Sequence, residues 1–93
     1  MDKTLPVYFV YILRCADQSL YTGCTNDLKR RLHQHNHAKQ GARYTKTRRP
    51  VVLVYFEKFR LQRRALQREY AIKSLTRAQK LALISKKRPG TKD

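Results

Sequence analysis

The apolar residues of this chain fall into two short dense runs and one longer periodic segment. The first run, VYFVYILR at residues 7–14, is β-branched and aromatic and lacks the i, i+3, i+4 spacing of a helix. Its apolar residues occupy both parities, which predicts a central strand covered on both faces. ADQS at 16–19 is turn chemistry, and LYTGC at 20–24 is the return strand of a hairpin. Leu28 and Leu32 lie one helical turn apart. They predict a helix with Thr25 or Asn26 as N-cap, Asp27 in its first turn and Gly41 as its stop after Gln40. ARYTKTRR at 42–49 reads as a basic loop, and Pro50 leads into a second β-rich run, VVLVYFEKF at 51–59. From Leu61 the spacing becomes helical, with Leu61, Ala65, Ile72 and Leu75 on one stripe. Thr76 and Gln79 fit a capping box that opens a third helix bearing Leu81, Ala82 and Ile84. The predicted order is β-β-α-β-α-α. This is an α+β fold with a small three-stranded, mainly antiparallel sheet flanked by helices.

Length and charge narrow the picture. The 93 residues are expected to form one domain over 1–93, with a core at about 7–85 and a basic, frayed tail at 86–93. Lys and Arg number 22 against 6 Asp and Glu, a formal net charge of +16. Such an excess repels itself unless a polyanion is near, and it suits a phosphate backbone, so nucleic acid is the expected partner. A membrane is not, because no sustained helix is apolar on one face and basic on the other, and VYFVYIL is too short to cross a bilayer. Cys15 and Cys24 make no disulfide framework, so a cytoplasmic location with reduced thiols is expected. His33 and His37 form an i, i+4 pair, but with the cysteines they match no compact zinc pattern.

Five kinds of residue carry possible chemistry. Glu69 sits on or beside the apolar stripe of its helix, where a carboxylate is costly unless paired. It reads either as an ion-pair partner or as a ligand for a hard cation such as Mg²⁺ or Mn²⁺. Arg31 and His35 share a helix face beside Leu28 and Leu32, and an arginine fork suits a phosphate. Arg31 could equally be a solvated residue paired with Asp27. Tyr11 and Tyr21 are packing residues or, with pKa lowered by cations, weak bases. Gly23 would let a backbone or a phosphate approach the hairpin.

In this setting VYI at 10–12, YTG at 21–23 and NDLKRRLHQH from residue 26 resemble the GIY-YIG nuclease domain. Glu69, in EYAIK, falls where that family carries its metal-binding glutamate. TKTRRPVVLVY and LTRAQKLALI resemble the small bacterial members, and the likeness covers residues 7 to about 85. It departs at Val10, where a glycine is missing before Tyr11, and at Thr22, where the family has isoleucine. The resemblance implies a metal-dependent endonuclease, acting on DNA more than RNA. Tyr11, Tyr21, Arg31, His35 and Glu69 would be catalytic, and Glu69 would hold Mg²⁺ or Mn²⁺. Arg31 would contact the phosphate, and Tyr11 or Tyr21 would take a proton from water. Gly23, Lys29, Arg30, Arg43, Lys46, Arg48 and Arg49 would line the nucleic acid. The alternative is a basic nucleic-acid binder that keeps the fold without turnover. A shared site requires both tyrosines on one face of the hairpin. Pairing Leu13 with Tyr21 across an odd-numbered loop meets that demand.

Overall fold

Strand β1 (Tyr8–Arg14) carries apolar side chains on both parities and lies in the middle of the sheet, as the pattern predicts. The computed structural model describes residues 6–37 and 43–86. β2 (Leu20–Thr25) and β3 (Val52–Phe59) pair antiparallel with β1 on either side, in the order β2-β1-β3. The helices are α1 (Leu28–His37), a single turn α2 (Arg43–Lys46), α3 (Gln62–Lys73) and α4 (Arg77–Ser85). Strands before α1 and a further strand before α3 and α4 reproduce the predicted α+β order, with α2 added.

Strand alternation sends the even and odd residues of β1 to different layers. Val10 and Ile12 are buried with Tyr55, Ala65 and Ile72, against α3 and partly α4. Tyr11 and Leu13 are buried with Cys15 and Val51, and Leu28 and Leu32 of α1 pack there. The β1–β3 register shifts between Ile12, opposite Tyr55, and Leu13, opposite Leu53. Val54 is thus an extra residue in β3. The bulge lets Leu53 join the α1 side while Val54 packs on the α3 side.

Two predicted boundaries need correction. Asp27 is the N-cap of α1 and not a first-turn residue. Its side chain accepts from Arg30 N–H at 3.1 Å, and its carbonyl accepts from Arg31 N–H at 3.0 Å. Thr25 supports it from outside the helix, accepting from Asp27 N–H at 3.1 Å. The basic stretch expected as a loop forms the α2 turn, because Thr45 is drawn inside with no exposure. The capping box of α4 is present as predicted, Thr76 and Gln79 exchanging bonds of 2.9 and 3.1 Å. The predicted stop at Gln40 and Gly41 and the tail beyond Lys86 lie outside the described residues. Among those described, no helix is long and apolar enough to cross a membrane.

One side chain ties α1 to the start of β3. Asn36 accepts from Val51 N–H at 2.8 Å and donates to Val51 C=O at 3.1 Å, satisfying both polar groups of a residue only 4% exposed. Removing that amide strands both groups. Asn36→Ala is expected to lower stability by about 2 kcal/mol or more. Urea denaturation should show the loss as a lower midpoint at unchanged slope.

Candidate active site

The site grows from the register of the hairpin. Leu13 lies opposite Tyr21, as the shared-face argument demands, and the connection is the odd-numbered segment 15–19. Tyr11 therefore lies opposite Gly23 and diagonal to Tyr21 on the α1 face. The Tyr11 ring occupies the space that a side chain at 23 would need. A Cβ there would stand 2.4 Å from Tyr11 Oη and 2.6 Å from Cζ. The sequence reading expected a backbone or a phosphate to approach at Gly23; the close approach seen here is that of the Tyr11 ring.

From Gly23 the phenol reaches α1. Tyr11 Oη and His35 Nε2 are 2.9 Å apart, and His35 Nδ1 lies 2.7 Å from Thr45 Oγ1 in α2. His35 and Thr45 are both wholly inaccessible to solvent. Tyr21 closes the cluster from the side. Its ring meets His35 edge-on at 5.2 Å and stacks on Tyr44 at 5.8 Å. Arg31 is one turn before His35, half-buried, and its Nη1 donates to Gln34 Oε1 at 3.1 Å. Its side chain is engaged there, and Asp27 meets it through the backbone. Glu69 comes from α3, in the other layer. Its side chain is 19% exposed and lies 3.2 Å from Lys73 Nζ, which realises the ion-pair reading, and its charge still acts on Tyr11 and Cys24.

The electrostatics differ from the sequence expectation. Burial pushes the Tyr11 phenol up to about 12, and the neighbouring Arg31 guanidinium opposes this without prevailing. Burial also pushes His35 down to about 4, helped by the positive charges of Arg31 and Arg49. The imidazole is neutral at pH 7, so one ring nitrogen donates and the other accepts. With Nδ1–H donating to Thr45 Oγ1, Nε2 accepts the Tyr11 proton. The phenol is protonated at rest, and not a phenolate made by nearby cations.

The predicted basic lining separates into two groups. Lys29, Arg30 and Lys46 are exposed, and Arg43 opens α2. Arg48 and Arg49 are also bonded within the fold. Arg48 bonds Asp17 at 3.0 Å and the Tyr44 carbonyl at 2.9 Å, and its guanidinium lies 3.9 Å above the Tyr44 ring. Arg49 donates to the carbonyls of His35 and Gln34 in the last turns of α1, where a cation suits the helix end. Thr45, Tyr44 and Gln34 were missed by sequence reasoning. Their signals, a threonine and a tyrosine in a basic stretch and a glutamine three residues after an arginine, are too common to single out.

Metal-holding capacity is narrow. Among the described residues no three His, Cys, Asp or Glu side chains converge. His33 and His37 lie on the surface with ring centroids 4.5 Å apart, and Cys15 and Cys24 are not joined in a disulfide. Glu69 is a single half-buried carboxylate. That donor set fits a hard cation that takes one carboxylate and completes its shell with water and phosphate oxygens, and it does not fit a zinc cage.

The buried imidazole sets a pH dependence. The unfolded chain binds a proton at His35 near pH 6.5 and the folded one only near pH 4, so stability rises with pH across that window. Acidification from 6.5 to about 4 should remove on the order of 3 kcal/mol. Asp17, held below the usual carboxylate range by Ser19 and then Arg48, adds its loss only at lower pH. Denaturation midpoints measured across this range should fall steeply in the wild type and flatten in His35→Gln.

The chain is similar to known proteins over most of its length. Residues 7–82 match the GIY-YIG catalytic domain. A UPF0213 protein of Clostridium perfringens is 60% identical over 79 residues, covering 85% of this chain and 84% of that protein. One from Staphylococcus haemolyticus is 52% identical over 80 residues, 86% of this chain and 96% of its own length. The solution NMR structure of a UPF0213 protein from Bacillus halodurans superposes with a TM-score of 0.59 at 40% identity, over 90% of this chain and 88% of that one. With a domain match across most of its length and relatives this similar, the chain belongs to the GIY-YIG family.

Proposed function

We propose that this protein is an endonuclease that hydrolyses phosphodiester bonds in nucleic acid, DNA before RNA, with Mg²⁺ or Mn²⁺ held on Glu69. It would work in the cytoplasm, where its two thiols stay reduced. The observation that carries this reading is the buried chain Tyr11–His35–Thr45. Packing alone would favour phenylalanine and leucine there, since burying three polar groups is costly even when they are paired. A hydrogen-bonded phenol and imidazole facing an arginine are chemistry suited to moving a proton beside a phosphate.

The residues divide the work as follows. Arg31 binds the phosphate and balances the charge that grows on its oxygens. Tyr11 Oη accepts a proton from the attacking water while its own proton passes to His35 Nε2. Thr45 Oγ1 accepts from Nδ1–H and steadies the imidazolium so formed. The new bond joins water oxygen to phosphorus, and the bond to the departing sugar oxygen breaks on the opposite side. Tyr21 packs edge-on against the imidazole, with Tyr44 stacked on Tyr21. A divalent ion on Glu69, when bound, supplies Lewis acidity to the phosphate and the leaving oxygen. At rest the phenol keeps its proton and the imidazole is neutral.

The second reading, binding without turnover, is favoured by Lys73. Its ammonium lies 3.2 Å from Glu69 and neutralises the carboxylate that a cation would use. A cleavage assay separates the two. Labelled single-stranded, duplex, flapped and branched DNA, and RNA, are incubated in Mg²⁺, in Mn²⁺ and in EDTA. The wild type should cut only with metal. Glu69→Ala should lose about a hundredfold or more in rate while its affinity changes little. Tight binding with no cutting by the wild type would establish the binder.

A further inference from the structure

The outer face of α3 carries residues that the cleavage chemistry leaves unused. Arg63, Leu66, Gln67 and Tyr70 follow the spacing of a single helix face and line an open cleft of about 600 Å³. Ala65 and Ile72, buried against the sheet, mark the opposite face of the same helix. Tyr70 is 74% exposed and Leu66 49%, so an aromatic ring and a branched side chain stand together in solvent on a helix that already has its core contacts.

The surrounding charge selects the occupant. α3 bears Arg63, Arg64, Arg68 and Lys73 against the single acid Glu69, which Lys73 already pairs. An apolar protein partner would have to desolvate Arg63 and Lys73 for no return. A nucleotide brings both a flat apolar base and a phosphate, the two chemistries this face displays. The position also suits a strand leaving the proposed cleavage site. Tyr70 follows Glu69 in sequence and lies about 100° around the helix from it. Lys73 falls between them, one turn beyond Glu69 and three residues after Tyr70.

We infer that the outer face of α3, centred on Tyr70, is a base-stacking subsite for an unpaired strand, adjoining the phosphate site at Glu69. A base lies on the Tyr70 ring beside Leu66. The Gln67 amide offers a donor and an acceptor to its edge, and Arg63 and Lys73 take the flanking phosphates. Bases inside a duplex keep their faces in their own stack, so only an unpaired nucleotide can use the ring. The substrate class is therefore single strands and the unpaired arms of flapped or gapped nucleic acid. This rests on the nuclease reading for the nature of the ligand, and binding in EDTA tests it without turnover.

The experiment is fluorescence anisotropy in EDTA, with a short labelled single strand of mixed sequence and the blunt duplex of that sequence. Tyr70→Ala should weaken single-strand binding about 5- to 100-fold, the range of one lost stacking contact, and leave duplex binding unaltered. Tyr70→Phe should restore it. The protein has no tryptophan, so Tyr70→Trp supplies a single reporter, which the single strand should quench and the duplex should not. Equal single-strand affinity of Tyr70→Ala and wild type would overturn the subsite, as would an equal loss toward both ligands. So would sedimentation showing that Tyr70→Ala turns a dimer into a monomer, which would make the face an interface between copies. If the wild type binds neither ligand, the nuclease reading itself falls. If Glu69-dependent cutting is present while Tyr70→Ala binds normally, only the subsite falls.

Discussion

A tyrosine in the central strand can lie across its neighbour only because residue 23 has no side chain. A Cβ at that point would stand 2.4 Å from the Tyr11 hydroxyl oxygen. The rest of the site is a consequence of this contact. Antiparallel register puts Gly23 directly opposite Tyr11, and the ring then points its hydroxyl at α1 and not at solvent. A buried hydroxyl must have a partner, and His35 provides it. A buried imidazole must have one too, and Thr45 provides that. The helical turn α2, which has no strong pattern of its own, is fixed by the need to bring Thr45 under the ring.

The second constraint is layering. Tyr11 faces α1 while Glu69 rides on α3, which covers the other side of the sheet. Two groups in opposite layers can approach each other only near an edge of the sheet. β2 is an edge strand, paired on one side alone, and Cys24 on it feels the charge of Glu69. The hairpin thus does two jobs. Its odd positions supply the tyrosines of one layer, and Cys24 on its outer strand packs with the other.

These constraints explain what could be read from the chain and what could not. Apolar residues on both parities announced β1 as central, because a strand covered on both faces leaves that mark. The register was legible because face-sharing of Tyr11 and Tyr21 permits few pairings, and the capping box of α4 because its two bonds are local. Thr45 was not legible, since its partner lies ten residues away and nothing in RYTK predicts burial. Arg48 and Arg49 looked like phosphate ligands because a sequence shows charge and hides whose carbonyl or carboxylate the charge already meets. The direction of the Tyr11 shift was missed for a related reason. Cations nearby are visible in the sequence, while the depth of burial that outweighs them is a property of the folded chain.

The acids complete the argument, because in so basic a chain each is contested. Asp27 caps a helix. Asp17 accepts from Ser19 and holds Arg48. Glu57 takes both arms of Arg68 at 2.9 Å and the hydroxyl of Tyr55. A carboxylate gripped by an arginine fork gives up its partner reluctantly, because two aligned bonds must break together. Glu69 is held by a lysine, a point charge on a flexible stem that is itself half exposed. Of the four described acids it is the one whose partner can be exchanged at least cost.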